Sequence, residues 1–467
     1  MINNSKKPDD DEDQDQPDSG EGLNKVWERL TEGFNRLGKT ESVPITIAQS
    51  DFFRAVKNNN TAAVIKMLDA GYDPDAYNGS GQTALHVAAL GNAVDVARVL
   101  IGRGANPLRG KRDNPGHTPL EDAVSFNRPE MVELLARQGG YAPGAMVNGW
   151  SLLHRACEKG KARTVEALLK AGADCNEMTE NGSTPLLIAI KLGQTEVAEV
   201  LLQFQAVVAA MNQHFVKTDD KKRTAFQLAV DRGQMPLIAA MIGKGAEVNS
   251  KDAEQKTPLL RAIESGNLAL VRLLVEAGAD LNKPAGTYGT PLVHACMADT
   301  IDDRVRAEMI DLLIRLGADA DIPSPEGSLP VHLLITHLQG KEILEALLRY
   351  PVNKEIPDTL GLLPSHYAAF TVRVGYLHSL LKSGADPNGR NADDASTPLI
   401  HAVKGKNIDG IRLLLEAGAN PGLYDGYGKS ALSYAREKGY GDLIEMLEQA
   451  LKENIVKARS ASPPQKR

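Results

Sequence analysis

The stretch Thr257–Gly278, TPLLRAIESGNLALVRLLVEAG, decides the fold. Thr257 can cap a helix through its hydroxyl, and Pro258 fits the first helical position, where a missing N–H costs nothing. Leu259, Ala262 and Ile263 then form one apolar helix face, which Ser265-Gly266 brings to a turn. A second helix carries Leu270, Val271, Leu273 and Leu274, and Gly278 supplies the left-handed residue past its end. The turn-rich ADLNKPAGTYG of residues 279–289 leads into another Thr-Pro. One cycle is therefore a helix pair followed by an extended finger.

The cycle recurs. Its anchors are Thr83, Thr118, Ser151, Thr184, Thr224, Thr257, Thr290, Leu329, Leu363, Thr397 and Ser430, at intervals of 35, 33, 33, 40, 33, 33, 39, 34, 34 and 33. Gly71, Gly104, Gly139, Gly172, Gly245, Gly278, Gly317, Gly384 and Gly418 share the helix-ending place, a backbone position that strains other residues. With TALHVAA from Thr83, SLLHRAC from Ser151, TPLLIAI from Thr184 and LLEAGAN from Leu414, the chain resembles the ankyrin-repeat family over about residues 51–450. The resemblance implies an all-α repeat solenoid of helix-turn-helix units with protruding β-turn fingers. Counting the segment that opens at Asp51 as unit 1 gives twelve units, a curved rod on the order of 110 Å long at ~10 Å per helix pair. Units 2 to 12 begin at the anchors in order.

Three departures from the period stand out. The 40-residue interval after Thr184 places its surplus in AVVAAMNQHFVKTDDKKR, enlarging a finger, and the 39-residue interval after Thr290 places its surplus between two helices, in MADTIDDRVRAEM. Units 9 and 10 carry Leu329 and Leu363 in place of a capping hydroxyl, and unit 9 has Tyr350-Pro351 where glycine is expected. Irregular packing, with a change of curvature, is the expectation for residues 325–370.

Outside the array, residues 1–22 hold eight acids and two lysines and read as a disordered acidic tail. Leu23, Val26, Trp27, Leu30, Phe34 and Leu37 share one face of an amphipathic helix spanning 23–37, followed by a linker over 38–50. That helix either covers the open end of the first unit or docks a partner; its polar face is mixed in sign, which weakens a membrane role. The repeat domain runs over 51–451. Residues 452–467, with five basic residues and one acid, read as a basic disordered tail.

A formal net charge of -7 and 4% aromatic residues argue against nucleic acid, because a general binder needs excess Lys and Arg. No basic stripe runs through the repeats. Three scattered cysteines suit a reducing compartment, the N-terminus has no apolar run behind its lysines, and the longest uncharged run, Val200–Val216, is too polar to span a bilayer. A cytoplasmic protein with no cofactor is expected.

Chemistry has few candidates. His86, His154, His332 and His366 hold the fourth place of the TPLH segment, which in the family the chain resembles ties neighbouring units together by hydrogen bonds; His294 and His401 stand one place later. His154 and Cys157 share a helix face but lack further ligands at zinc spacing, and a rod offers no catalytic cleft by default. Neither an enzyme nor a metal site is expected.

Surface remains. Finger tips and the ends of the first helices line the concave side, where stacking does not dictate the residue. The partner-binding candidates are Trp150, His117, Phe126, Glu158, Lys159, Lys191, Arg223, Asp231 and Arg232, in units 3 to 6. Trp150 is the sharpest: exposed on a finger tip it would be an anchor, and the alternative is that it folds back onto Tyr141 or Met146. These readings favour a non-enzymatic scaffold or adaptor that binds one or more proteins. The runner-up is an effector delivered into another cell, with the C-terminal tail as its signal.

Overall fold

A computed structural model describes residues 47–141, 146, 149–204, 223–337, 340–371 and 374–461. Those residues form twelve helix pairs in chain order, from Ile47–Lys57 with Thr61–Asp69 to Ala431–Glu437 with Gly441–Ala461. Most first helices have seven residues and most second helices eight or nine, as in unit 7, Pro258–Glu264 and Leu268–Glu276. The fold is an all-α repeat solenoid. Among the described residues strand pairing is limited to isolated bridges such as Tyr77 with Thr83, so turn chemistry rather than a β-ladder holds the fingers.

Each unit starts and stops as its sequence dictates. The Thr257 hydroxyl accepts from the Leu260 N–H at 3.3 Å with Pro258 in the first turn, and Thr184, Thr290 and Thr397 cap their helices the same way. All nine helix-ending glycines have positive φ, +92° at Gly278. A Cβ built on Gly278 would touch nothing within 4 Å, so conformation rather than space requires glycine. Gly278→Ala is expected to cost about 1–2 kcal/mol, read as a lower urea midpoint of the full chain.

The core is continuous because each unit leans on its neighbours. Leu100, Leu168, Leu274 and Leu414, at one register position in four units, are fully buried. A polar ladder runs beside it: the Asp280 N–H donates to Asn249 Oδ1 at 2.9 Å, Asp319 to Asn282 at 2.8 Å, Asn353 to Asp321 at 2.9 Å and Asn420 to Asn388 at 2.7 Å. Each rung ties one finger base to the next on the exposed side of the array.

Four sequence expectations change. The surplus of unit 8 does not all enter the turn: after Pro291–Met297 the turn Ala298–Asp302 is short, and the second helix, Asp303–Arg315, lengthens to 13 residues. Asp302 caps that helix from its side chain, and Arg306 anchors it by donating to the Cys296 carbonyl at 2.7 Å. Unit 9 lacks a side-chain cap at Leu329, yet Leu334, Ile335, Ile343 and Leu344 stay fully buried and the stack continues. There Tyr350, standing where glycine was expected and without a positive φ, instead anchors the helix end by its hydroxyl, which donates to Asp311 of unit 8 at 2.5 Å. Helix formation starts at Ile47, inside the expected linker 38–50. At the other end the last helix reaches Ala461, so Lys452–Ala461 is not the disordered tail expected; no glycine or proline stops the helix-favouring run. The acidic segment 1–22, the amphipathic segment 23–37 and the enlarged finger before Arg223 lie outside the described residues.

Candidate partner-binding surface

The histidines of the TPLH segments are structural joints. His86 Nδ1 lies 2.8 Å from the Thr83 hydroxyl, and Nε2 donates to the His117 carbonyl of the next finger at 2.8 Å. His154 repeats the pattern from Ser151 to the carbonyls of Glu177 and Ser183 at 3.0 and 3.2 Å, and His332 and His366 reach Leu362 and Ser396. Burial pulls the pKa of all four below the ordinary imidazole value, so each is neutral with its proton on Nε2. In unit 6 Gln227 does the same work, accepting from the Thr224 N–H at 2.8 Å and donating to the Ser250 carbonyl at 2.7 Å. Cys157, one turn after His154 on the same helix, is fully buried, and burial pushes its thiol well above the usual range. Among the described residues no group of three His, Cys, Asp or Glu could hold a metal ion.

In three units the residue before the anchor and the one seven places after the anchor meet across the corner between finger and first helix. In unit 6 these are Arg223 and Asp231, which form an ion pair; in unit 7, Lys256 and Glu264 at 2.9 Å; in unit 12, Lys429 and Glu437 at 2.7 Å. The structure thus brings two of the candidates, Arg223 and Asp231, together as a pair whose charges neutralise each other. Arg261 extends the network to Asp231 at 3.5 Å and to Asp252. Arg223 and Asp231 are therefore committed within the array, whereas Arg232 is exposed at the end of its helix. Glu158 and Lys159 are exposed neighbours 3.7 Å apart, Lys191 is half-buried and Phe126 is 55% exposed.

Of the two placements open to Trp150, exposed on a finger tip or folded back onto Tyr141 or Met146, the structure shows neither outright. Trp150 is half-buried, its ring meeting the edge of His154 with centroids 6.0 Å apart. The histidine joint that locks the unit gives the indole a surface to lie on, a contact neither sequence alternative named.

His117 is likewise more than a surface residue. Its two ring nitrogens face Glu121 at 3.0 Å and Asp122 at 2.7 Å, both carboxylates are buried, and Lys111 also reaches Asp122 at 3.0 Å. The hydrogen bond to Asp122, then that to Glu121, lifts the His117 pKa to about 9. Burial would raise Asp122, but His117 and Lys111 outweigh it and hold the carboxyl below its ordinary value. A raised imidazole stabilises fully below its unfolded value of 6.5 and loses that contribution as pH climbs toward 9. Stability should therefore decline from pH 6.5 to 9, by on the order of 2 kcal/mol after solvent screening, and His117→Asn should flatten the decline. Urea titrations at several pH values check both.

Reading only units 3 to 6 missed the opposite end of the same face. Leu360 is 62% exposed on the finger that leads into unit 10, and Tyr427, 74% exposed, tips the finger that leads into unit 12. Between them the fingers are joined by the Ala392 N–H donating to the Gly361 carbonyl at 2.9 Å and the Gly426 N–H to the Asp394 carbonyl at 2.6 Å. Tyr434 lies on the first helix beneath, with the Lys404 ammonium 4.5 Å from its ring and its hydroxyl donating to Asp425 at 2.7 Å. Apolar residues three places before an anchor were the available signal.

The ankyrin-repeat family profile matches residues 52–146, 139–212, 205–285 and 365–457, more than half of the chain. This chain belongs to the ankyrin-repeat family. Its ankyrin region is similar in sequence to the tyrosine-protein kinase Shark of Drosophila melanogaster, 33% identical over 32% of this chain and 16% of that protein. It is also similar to the B-cell lymphoma 3 protein homolog of Mus musculus, 28% identical over 42% of this chain and 44% of the relative. SH3 and multiple ankyrin repeat domains protein 2 of Homo sapiens is 30% identical over 43% of this chain and 10% of its own length. The chain thus spans less than half the length of each of these relatives. Ankyrin repeats bind proteins, and the fold is typically non-catalytic. Among the described residues no helix is long and apolar enough to cross a membrane.

Proposed function

We propose that the chain is a non-enzymatic scaffold or adaptor that holds a partner protein along the face made by its fingers and first helices. One observation carries this reading. Among the described residues the exposed large apolar side chains, from Leu108 and Phe126 to Tyr424 and Tyr427, sit on fingers or at inter-helix turns, except Phe370 and Ile408, which are the last residue of a first helix and the first residue of a second and so flank such turns. Stacking has no use for those positions, and apolar area left on a surface is the material of interfaces. Trp150, His117, Phe126, Glu158, Lys159, Lys191, Arg223, Asp231 and Arg232 form one contact region, with Leu360 and Tyr427 extending it toward unit 12. Because Arg223 and Asp231 are already paired, their contribution is to shape the face rather than to bind by free charge.

The test is a pull-down from the source cell with two full-length variants. Trp150→Ala/Lys159→Ala/Arg232→Ala should lose most of the principal partner, and Leu360→Ser/Tyr427→Ser should weaken it. Retention of that partner by both would overturn the site. The reading of the chain as a delivered effector relied on the basic tail Lys452–Arg467, of which Lys452–Ala461 is helical and residues 462–467 lie outside the described residues. Nothing in the geometry favours a nucleic-acid or membrane partner over a protein.

A further inference from the structure

Unit 1 begins the described array, and no helix pair precedes it there. The consequence is visible at matched positions of the second helices. The residue four places before the helix-ending glycine is fully buried in the later units, as Leu100, Leu168 and Leu274 are. In unit 1 it is Met67, and Met67 is half-buried. The residue eight places before that glycine faces the preceding unit: the Thr164 hydroxyl donates to Asn127 Oδ1 at 2.9 Å, and the Val96 N–H to Asn59 Oδ1 at 3.2 Å. Thr164 and Val96 are fully buried, while Ala63, their counterpart in unit 1, is half-exposed. Unit 1 also keeps Phe53 half-exposed beside a groove of about 220 Å³ lined by Gln49, Ser50, Asn78 and Ser80. At these matched positions the face that later units press against a predecessor is thus apolar at Ala63 and Met67 and, among the described residues, only partly covered in unit 1.

We propose that residues 23–37 of the same chain are the missing predecessor, lying as a helix across unit 1 on Ala63 and Met67. The segment has the required pattern, with Leu23, Val26, Trp27, Leu30, Phe34 and Leu37 on one helical face. It also has the required reach. Residues 38–46 can span about 30 Å when extended, and a 15-residue helix is about 22 Å long, so the segment can fold back over a unit whose first helix starts at Ile47. Tethering favours this occupant over an outside one, since a linker of that length holds the segment at about millimolar effective concentration. A solenoid end needs a cap with a polar outer face, and Lys25, Glu28, Arg29, Glu32 and Arg36 provide it. This site is distinct from the finger face.

Hydrogen exchange on the full chain, followed by mass spectrometry at two protein concentrations, tests it. Amides of 23–37 should exchange at least about tenfold more slowly than an unstructured segment, equally at both concentrations. Met67→Lys should release that protection. Trp27→Ser, which cannot unfold the array from outside it, should release it too and speed exchange in Thr61–Asp69. Exchange of 23–37 at unstructured rates would overturn the proposal, as would protection that rises with concentration, the mark of a second copy. Protection indifferent to Met67→Lys would place the segment elsewhere and overturn it as well.

Discussion

Arg261→Ala should destabilise the central units by about 3–5 kcal/mol, the largest single effect among the charged residues. Its side chain is 8% exposed and that of its partner, Asp252, is 0% exposed. Arg261 Nε donates to Asp252 Oδ2 at 2.9 Å, while Oδ1 accepts the N–H groups of Glu254 and Lys256, both at 2.9 Å, and so shapes the finger. Removing the guanidinium leaves a buried carboxylate answered on one oxygen only. Asp252→Asn retains the turn bonds through its amide oxygen and sheds the charge, so combining it with Arg261→Ala should recover much of the loss. Urea unfolding of the wild type, both singles and the double completes the cycle. An array need not unfold in one step, so the transition that responds should be assigned by exchange in residues 250–257. Equal losses from Arg261→Ala with and without Asp252→Asn would contradict the assignment.

His154→Ala is expected to cost about 3 kcal/mol, because it removes the joint between two units and strands buried carbonyls. The informative comparison is His154→Gln. Gln227 already performs this work in unit 6, taking the cap N–H with its oxygen and giving its amide to the next finger. Glutamine should therefore restore most of the stability lost with alanine. A histidine serving as acid, base or ligand would gain nothing from that replacement, so the pair separates a structural joint from a chemical one. Thermal melts of the three proteins decide it.

What could be read from the sequence followed from how local the cause is. Thr-Pro caps and left-handed glycines act within a turn of chain, so Thr257, Pro258 and Gly278 announced the helix ends, and the period announced the stacking. The finger chemistry was less visible: Asp252, Asp358 and Asp425 each brace a finger by accepting N–H groups two and four residues ahead, and no helical or strand period marks them. The pairing of Arg223 with Asp231 was hidden for a similar reason. Eight residues apart across a corner, they match no regular spacing. The sequence left two placements of Trp150 open because its exposure depends on where His154 lies, and His154 is placed by the next finger. In unit 8, six surplus residues divide between turn and helix according to what Arg306 can reach.

The claim at the centre of this account is that binding resides on the finger and first-helix face. Quantitative affinity purification from the source cell, using the full-length wild type, Trp150→Ala/Lys159→Ala/Arg232→Ala, and Arg98→Ala/Arg272→Ala on the exposed sides of second helices, tests it most directly. A partner should be enriched equally by the wild type and the second-helix variant and depleted at least about tenfold from the face variant. A partner kept by the face variant and lost by the second-helix variant would contradict it.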